Sequence, residues 1–245
     1  MTCLFCEGHG PYSTVEHIVP ESLGNKRLVL TGIVCDDCQA YLGKEVEGYV
    51  LSRSPIGAWR VLAGVETKRG RRPSFSFRQP NLDKGRIPDR HPANDDSVTL
   101  ISSEEDECLV ELDNELAQQA ILEGTKTDFR LVLTPKILHM MGRFLGKVGL
   151  EMLARDHCEV ARGSRFDRMR RFVRFGQPTS FLWPIFHGTT TQQPAAGPAE
   201  IAVFDTSVLI HGHDTYTLSS LRLGTEFWVV CLSDPYPRVA WVGPR

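Results

Sequence analysis

The sequence has no uninterrupted apolar run longer than six residues, the longest being residues 227–232. A membrane-crossing helix needs about 20, so none is expected. The first ten residues have neither the basic start nor the apolar stretch of a secretory signal. The chain is therefore expected to be soluble and cytoplasmic, with no membrane partner. Glycine and proline number 21 and 15 of 245 residues, too few for a collagen-like or low-complexity chain. Also missing are a Walker loop, a strand-linked glycine fingerprint and a nucleophile elbow, which argues against nucleotide-driven and acyl-transfer chemistry. What remains is a chain with 41% hydrophobic residues, long enough to bury a core as one compact domain or as a small module on a larger body.

Net charge is also small, −2, but its distribution is uneven. Residues 60–90 carry nine Lys or Arg against three acids, residues 94–123 carry ten acids and no Lys or Arg, and residues 155–174 carry seven Arg against three acids. Such blocks suit either separate faces, one of them for polyanions, or surfaces that pair with each other.

The seven cysteines are unevenly placed. Cys3 and Cys6 form one C-x2-C pair and Cys35 and Cys38 another, with 28 residues between the pairs. In an intracellular chain this spacing reads as a four-thiolate zinc site. Buried thiols at chance spacing, or a redox pair, are the plainer readings. A four-thiolate zinc has no open position, so its role is structural, and it supplies about 10–16 kcal/mol of apparent folding free energy. Cys108, Cys158 and Cys231 read as small core residues.

Between the knuckles, Val15, His17 and Val19 alternate with Glu16 and Ile18, a short strand stopped by Pro20. Residues 28–30 are its expected partner after a turn at Gly24-Asn25. Beyond Cys38, the residues Tyr41, Leu42, Val46, Tyr49 and Val50 recur near helical spacing. A zinc-stapled hairpin followed by a helix is expected.

Cys3-x2-Cys6, Glu16-His17-x2-Pro20-x3-Gly24 and Val34-Cys35-x2-Cys38-x3-Leu42-Gly43 together resemble the zinc-stapled branch of the HNH endonucleases, over about residues 3–47. The resemblance implies a ββα-metal fold that cuts phosphodiesters with one divalent ion, magnesium or manganese. His17 matches the family's general base, a role that suits an imidazole. Glu16 matches the acidic metal ligand beside it. Adjacent strand residues point to opposite faces, so the two reach one phosphate only with local bending. Gln39 stands where the family has a second metal ligand, Asn or His. It keeps an amide oxygen on a longer chain, which weakens the ion, favours manganese or marks a non-catalytic module. Asn25 and His9 are the other candidates for that place. The family's central asparagine, which orients the base, has no counterpart between residues 26 and 34. The plainer reading of His17 is an imidazole hydrogen-bonded inside a zinc ribbon, that of Glu16 a surface acid, and that of Gln39 an exposed residue at a helix start.

A nuclease must hold a polyanion. Lys68-Arg69-Gly70-Arg71-Arg72 is the densest basic run and reads as a loop or hairpin arm, and Lys26 and Arg27 lie beside the expected site. A solubilising loop is the plainer reading of the run. Residues 164–174 read as a capped amphipathic helix that buries Phe166, Met169 and Val173 and turns Arg165, Arg168, Arg171 and Arg174 outward, preferably towards an internal acidic partner. Thr134-Pro135 starts an apolar helix to about residue 154, with Ile137, Met141, Phe144, Leu145, Val148 and Met152 as its core stripe. Residues 98–102, 108–113 and 129–133 read as strands, 115–123 as helix and 187–198 as a loop. Residues 201–210, 215–221, 227–232 and 238–242 read as an antiparallel meander. His211, His213 and Asp214, with Asp205 nearby, read as a polar hairpin loop rather than a metal site.

The expected architecture is α+β. A ββα-metal module at 1–52 would hold structural zinc, and a mixed body at 53–245 would select the target and end in an antiparallel meander. The expected function is a divalent-metal-dependent HNH endonuclease acting on nucleic acid, DNA before RNA, with a homodimer left open. The alternative is a non-catalytic zinc module that binds nucleic acid or protein.

Overall fold

A computed structural model describes residues 2–62, 65, 133–178, 181–189, 201–211, 214–224 and 226–237, with strand fragments at 76–78, 98–99, 109–111 and 129–130. Its architecture is mixed helix and sheet, α+β. The N-terminal hairpin is short. β1 (Val15–His17) pairs antiparallel with β2 (Val29–Thr31), setting Val15 opposite Thr31, Glu16 opposite Leu30 and His17 opposite Val29. The strand expected over 15–19 ends two residues early, because Pro20 leads into a 3-10 turn, Glu21–Leu23, closed by Gly24 at φ 91°. That positive φ suits glycine, which has no Cβ to clash.

After the second knuckle the chain is helical in three stretches: α1 (Asp36–Tyr41), a π-helical stretch Leu42–Glu47 and α2 (Gly48–Arg53). Cys38, Leu42, Val46 and Val50, spaced by four, form the fully buried edge of this run. α3 (Pro55–Leu62) begins on proline, where a missing N–H costs nothing. Four fragments follow: β3 (Ser76–Arg78) pairs antiparallel with β5 (Leu109–Glu111), and β4 (Val98–Thr99) pairs parallel with β6 (Phe129–Arg130).

The axis of the body is α4 (Pro135–Ala161), capped by Thr134, whose Oγ1 accepts from the Ile137 N–H at 3.2 Å. It runs past the expected end near 154, with one non-helical residue at His157. Every residue from Met140 to Ala154 is buried, charged ones included, since neighbours cover the helix on several sides. On one side lies α5 (Asp167–Phe175), preceded by a 3-10 turn, Ser164–Phe166, where no side-chain cap forms, contrary to expectation. On another lies a four-stranded antiparallel sheet in the order β7 (Ile185–Thr189), β10 (Glu226–Cys231), β9 (Asp214–Leu223), β8 (Ile201–His211). Trp228 and Val230 join the core with α4, while Phe227, Val229 and Cys231 fill a second cluster, the period-two pattern of a strand between two apolar layers.

One sequence reading changes here. His187 to Thr189, expected in a loop, close β7, because the free edge of β10 offers backbone partners to the Ile185-Phe186 segment. The strand expected at 238–242, the helix at 115–123 and Cys108 lie outside the described residues.

Close approach on α4 depends on glycine. A Cβ at Gly149 would lie 2.7 Å from Ser219 Cβ and 2.8 Å from Leu232 Cδ2, whereas one at Gly43 would meet nothing within 4 Å. Gly149→Ala is expected to destabilise by about 1–3 kcal/mol. Gly43→Ala should leave stability unchanged or raise it by up to about 1 kcal/mol. Urea midpoints of the two variants check the contrast, and equal midpoints would contradict the packing.

Candidate functional site

The four knuckle cysteines converge. Their sulfurs all lie within 4.8 Å of one another, and Cys6 Sγ and Cys35 Sγ are 3.6 Å apart. Four Zn–S bonds of about 2.3 Å at tetrahedral angles require S···S separations of roughly 3.8 Å, so the cage has the size for zinc. The local chain explains the convergence. Cys3 N–H donates to Gly8 O at 2.8 Å, Leu4 N–H to Ile33 O at 2.9 Å, and Cys35 N–H to Cys3 Sγ at 3.4 Å. A hydrogen bond from Cys38 holds the Cys3 thiol down to about 4, while burial pushes Cys35 up to about 11. Cys38 is raised by the bond it gives to Cys3 and by burial. Thiols this crowded share few protons, and a divalent soft ion resolves the crowding by taking all four as thiolates. Arg174 adds a charge from outside, its Nε donating to Cys38 Sγ at 3.2 Å. Among the described residues these cysteines are the one cluster that could hold a metal.

His17 ends β1, half-buried. Its Nδ1 is enclosed without a hydrogen-bond partner. Among the described residues no hydrogen bond to its other ring nitrogen, Nε2, is found. Glu16 faces the other way, as strand alternation requires, and is nearly buried. Its Oε1 lies 2.7 Å from Lys147 Nζ. Lys147, entirely buried in α4, also meets Glu47 Oε1 at 2.7 Å, Glu151 Oε2 at 3.0 Å, His17 O at 2.9 Å and Ile18 O at 3.3 Å. An ammonium has three protons, and here it faces five oxygens. The arithmetic shows in the geometry: Glu47 Oε1 and both oxygens of Glu151 sit off the hydrogen-bonding directions.

Burial favours the neutral form of Glu151 and pushes its carboxyl well above the usual carboxylate range, against the pull of Lys147. Glu16 is raised for the same reason, less far. Burial alone would lower Lys147, but Glu151, Glu47 and Glu16 outweigh it and hold the ammonium charged.

Gln39 sits on α1 with its amide nitrogen donating to Val34 O at 3.0 Å and Thr14 O at 3.3 Å. Thr14 Oγ1 lies 2.8 Å from both Gln39 Oε1 and Asp36 Oδ1, and its single proton serves one of them. Asp36 straps residues 13 and 14 to the helix start, and the Ser13 and Thr14 hydroxyls hold its carboxyl down at about 2. Glu16 and Gln39 are thus both bonded within the chain. As they stand they do not form a ligand set for a hard cation.

Asn25 is spent on the backbone. Its Nδ2 donates to Val19 O at 2.7 Å and Leu28 O at 3.1 Å, and its Oδ1 accepts from the N–H groups of Arg27 and Leu28. It braces the loop leaving His17 and holds Lys26 and Arg27 exposed at the tip. His9 is exposed away from such a role. Lys68, Arg69, Arg71 and Arg72 lie outside the described residues, as does His213. Asp214 opens β9 opposite His211.

Of the outward arginines, Arg165 bonds Thr215 O, Arg168 lies over the Tyr236 ring, and Arg174 lies over Tyr41. Arg171 is exposed. Sequence reading missed the polar line Arg143, Lys147, Glu151. Its signal was three charged residues spaced by four inside an otherwise apolar helix.

No family model, curated protein or solved structure matches the chain.

Two outcomes follow from this geometry. Zinc analysis of the purified chain should give one ion per chain, and Cys38→Ser should lose it together with protection of the hairpin amides from exchange. For Glu151, a folded pKa above the unfolded one means stability is full below the unfolded value, about 4.5, and falls as pH rises through the folded value. Glu151→Gln removes that loss. Relative to wild type it should gain about 1.4 kcal/mol for each pH unit between those two values, read from urea unfolding at pH 5 and pH 8. An equal loss at both pH values would show that Glu151 is ionised.

Proposed function

We propose that the chain is an HNH-type endonuclease, hydrolysing phosphodiester bonds of nucleic acid, DNA in preference to RNA, with His17 as the base. The observation that carries this reading is a half-buried imidazole at the end of β1 that no hydrogen bond among the described residues uses. A buried ring nitrogen without a partner costs about 1–3 kcal/mol, and packing alone gives no reason to keep it. Its setting supports the same reading: a hairpin with a braced loop lies between the two knuckles, and a helix starts at the second.

His17 Nε2 takes the proton of the attacking water, and the enclosed side of the ring fixes its orientation. The loop tip held by Asn25 brings Lys26 and Arg27 to the phosphates. The zinc is structural and stands outside the reaction. A divalent ion, which the resemblance implies, would stabilise charge on the scissile phosphate.

A second reading has its own observation. Glu16 is held by Lys147 and Gln39 by Val34 and Thr14, the arrangement of a zinc module that binds nucleic acid or protein without cutting it.

Supercoiled plasmid with magnesium or manganese separates the two. Wild type is expected to yield nicked or linear product, and His17→Ala to lower the rate by about 100-fold or more with zinc content and folding intact. Equal inactivity of both under either metal, with plasmid still retarded on a gel, favours the binding module.

A further inference from the structure

We propose that Glu16 and Lys147 form a positioning pair for His17, and that Glu16 is not a ligand of the divalent ion. The inference rests on the reading of His17 as the base, and it begins from a mismatch. The residue that the resemblance makes a metal ligand has its carboxylate on an ammonium entirely enclosed by protein, with Oε1 2.7 Å from Lys147 Nζ. A surface lysine swings aside for an incoming cation, but this one has no solvent to swing into. Its remaining partners are Glu47, Glu151 and two backbone carbonyls, which fill its coordination from every side.

The carbonyls give the pair its purpose. Lys147 Nζ meets the His17 carbonyl at 2.9 Å and the Ile18 carbonyl at 3.3 Å, the oxygens of the two peptides that follow the base. One ammonium therefore grips the side chain before His17 and the backbone at and after it. Strand alternation sends the Glu16 side chain into the body and turns the imidazole away from it, so the grip sets the imidazole without touching it. The lever is α4, buried at every residue from Met140 to Ala154 and held against the sheet by the close approach at Gly149. The short hairpin carries the base, and the long helix fixes where it points. Glu47, from the π-helical stretch, brings the helix after the second knuckle to the same nitrogen. Hairpin, knuckle helix and α4 thus meet at one atom.

Lys147 and Glu16 contact neither water nor substrate in this scheme. Their effect on chemistry runs through His17, and a displacement of the base by about 1 Å is enough to cost about 100-fold in rate.

The test uses the full-length, zinc-loaded chain with Glu16→Gln, which keeps size and one oxygen, and Lys147→Met, which keeps the stem and removes the charge. Three readouts are taken: manganese affinity by electron paramagnetic resonance, the His17 imidazole signals in a nitrogen-correlated NMR spectrum, and plasmid nicking resolved into kcat and KM. In Glu16→Gln, manganese affinity is expected to stay within about twofold of wild type, where loss of a true ligand would weaken it by about tenfold or more. In both variants the His17 ring signals should move, and kcat should fall by up to about 100-fold with KM little changed. Loss of manganese binding in Glu16→Gln overturns the proposal, and so do ring signals that stay in place in both variants. Should Lys147→Met fail to fold, Glu16→Gln alone decides. If wild type does not nick at all, the nuclease reading falls, while the ring signals still decide whether the pair sets His17.

Discussion

The ammonium of Lys147 ties the N-terminal hairpin to the long helix of the body. Moving a charge from water into a protein interior costs several kcal/mol, and only close opposite charges and hydrogen bonds offset it. Lys147 meets three carboxylates and two carbonyls, so its cost is met many times over; the carboxylates are the groups left short. Three acids against one base is an unstable count in a medium of low dielectric. Burial pushes the Glu151 carboxyl well above the usual carboxylate range, towards its neutral form. Removing either partner of such a pair typically costs about 3–5 kcal/mol, a large part of a domain's whole stability. The cluster therefore behaves as a unit, and the hairpin takes its place from α4 rather than from its own three-residue strands.

The same helix does a second polar task one turn earlier. Arg143 Nε and Nη2 donate to Val173 O at 3.1 and 2.9 Å, and Nη2 also reaches Arg174 O and the Tyr41 hydroxyl. Those carbonyls belong to the last turn of α5, where four C=O groups have no helical partner and the helix dipole favours a cation. A buried guanidinium thus ends one helix and reaches the helix after the second knuckle. Apolar packing fills the space around α4, but this charged line decides which elements meet across it.

Much of this was legible in the sequence and some was not, for identifiable reasons. The cysteine spacing gave the cage, because C-x2-C turns impose their own geometry. Thr134-Pro135 gave the start of α4, and Phe166, Met169 and Val173 gave the inner stripe of α5, all three buried as read. Local patterns like these need no knowledge of distant partners. The partner of Glu16 does need it, since Lys147 lies far along the chain and no periodicity joins the two. The turn at Gly24-Asn25 is legible, but the four backbone bonds that occupy Asn25 are not, since they exist only once the loop has closed. His187 to Thr189 read as loop in the sequence because an edge strand draws its identity from the neighbour it pairs with, here β10.

Arg174 shows how the zinc cage and the body depend on one another. Four thiolates around a divalent ion carry two surplus negative charges, and partly buried charge of that size calls for donors in its outer shell. One comes from the cage itself, the Cys35 N–H aimed at Cys3 Sγ. Another comes from the far end of α5, 136 residues beyond Cys38, where the Arg174 guanidinium lies over the Tyr41 ring at 4.1 Å and donates to Cys38 Sγ. Stacking on Tyr41 fixes the guanidinium plane, so little rotamer freedom remains to be lost when it bonds the sulfur. A zinc ion held there would do more than staple residues 3–38 together. Arg174 from α5 already bonds the second knuckle, while Lys147 ties the hairpin to α4, and α4 and α5 are themselves packed side by side. The hairpin that carries His17 is clamped at both ends, each time by an opposite charge held in a place that water reaches poorly.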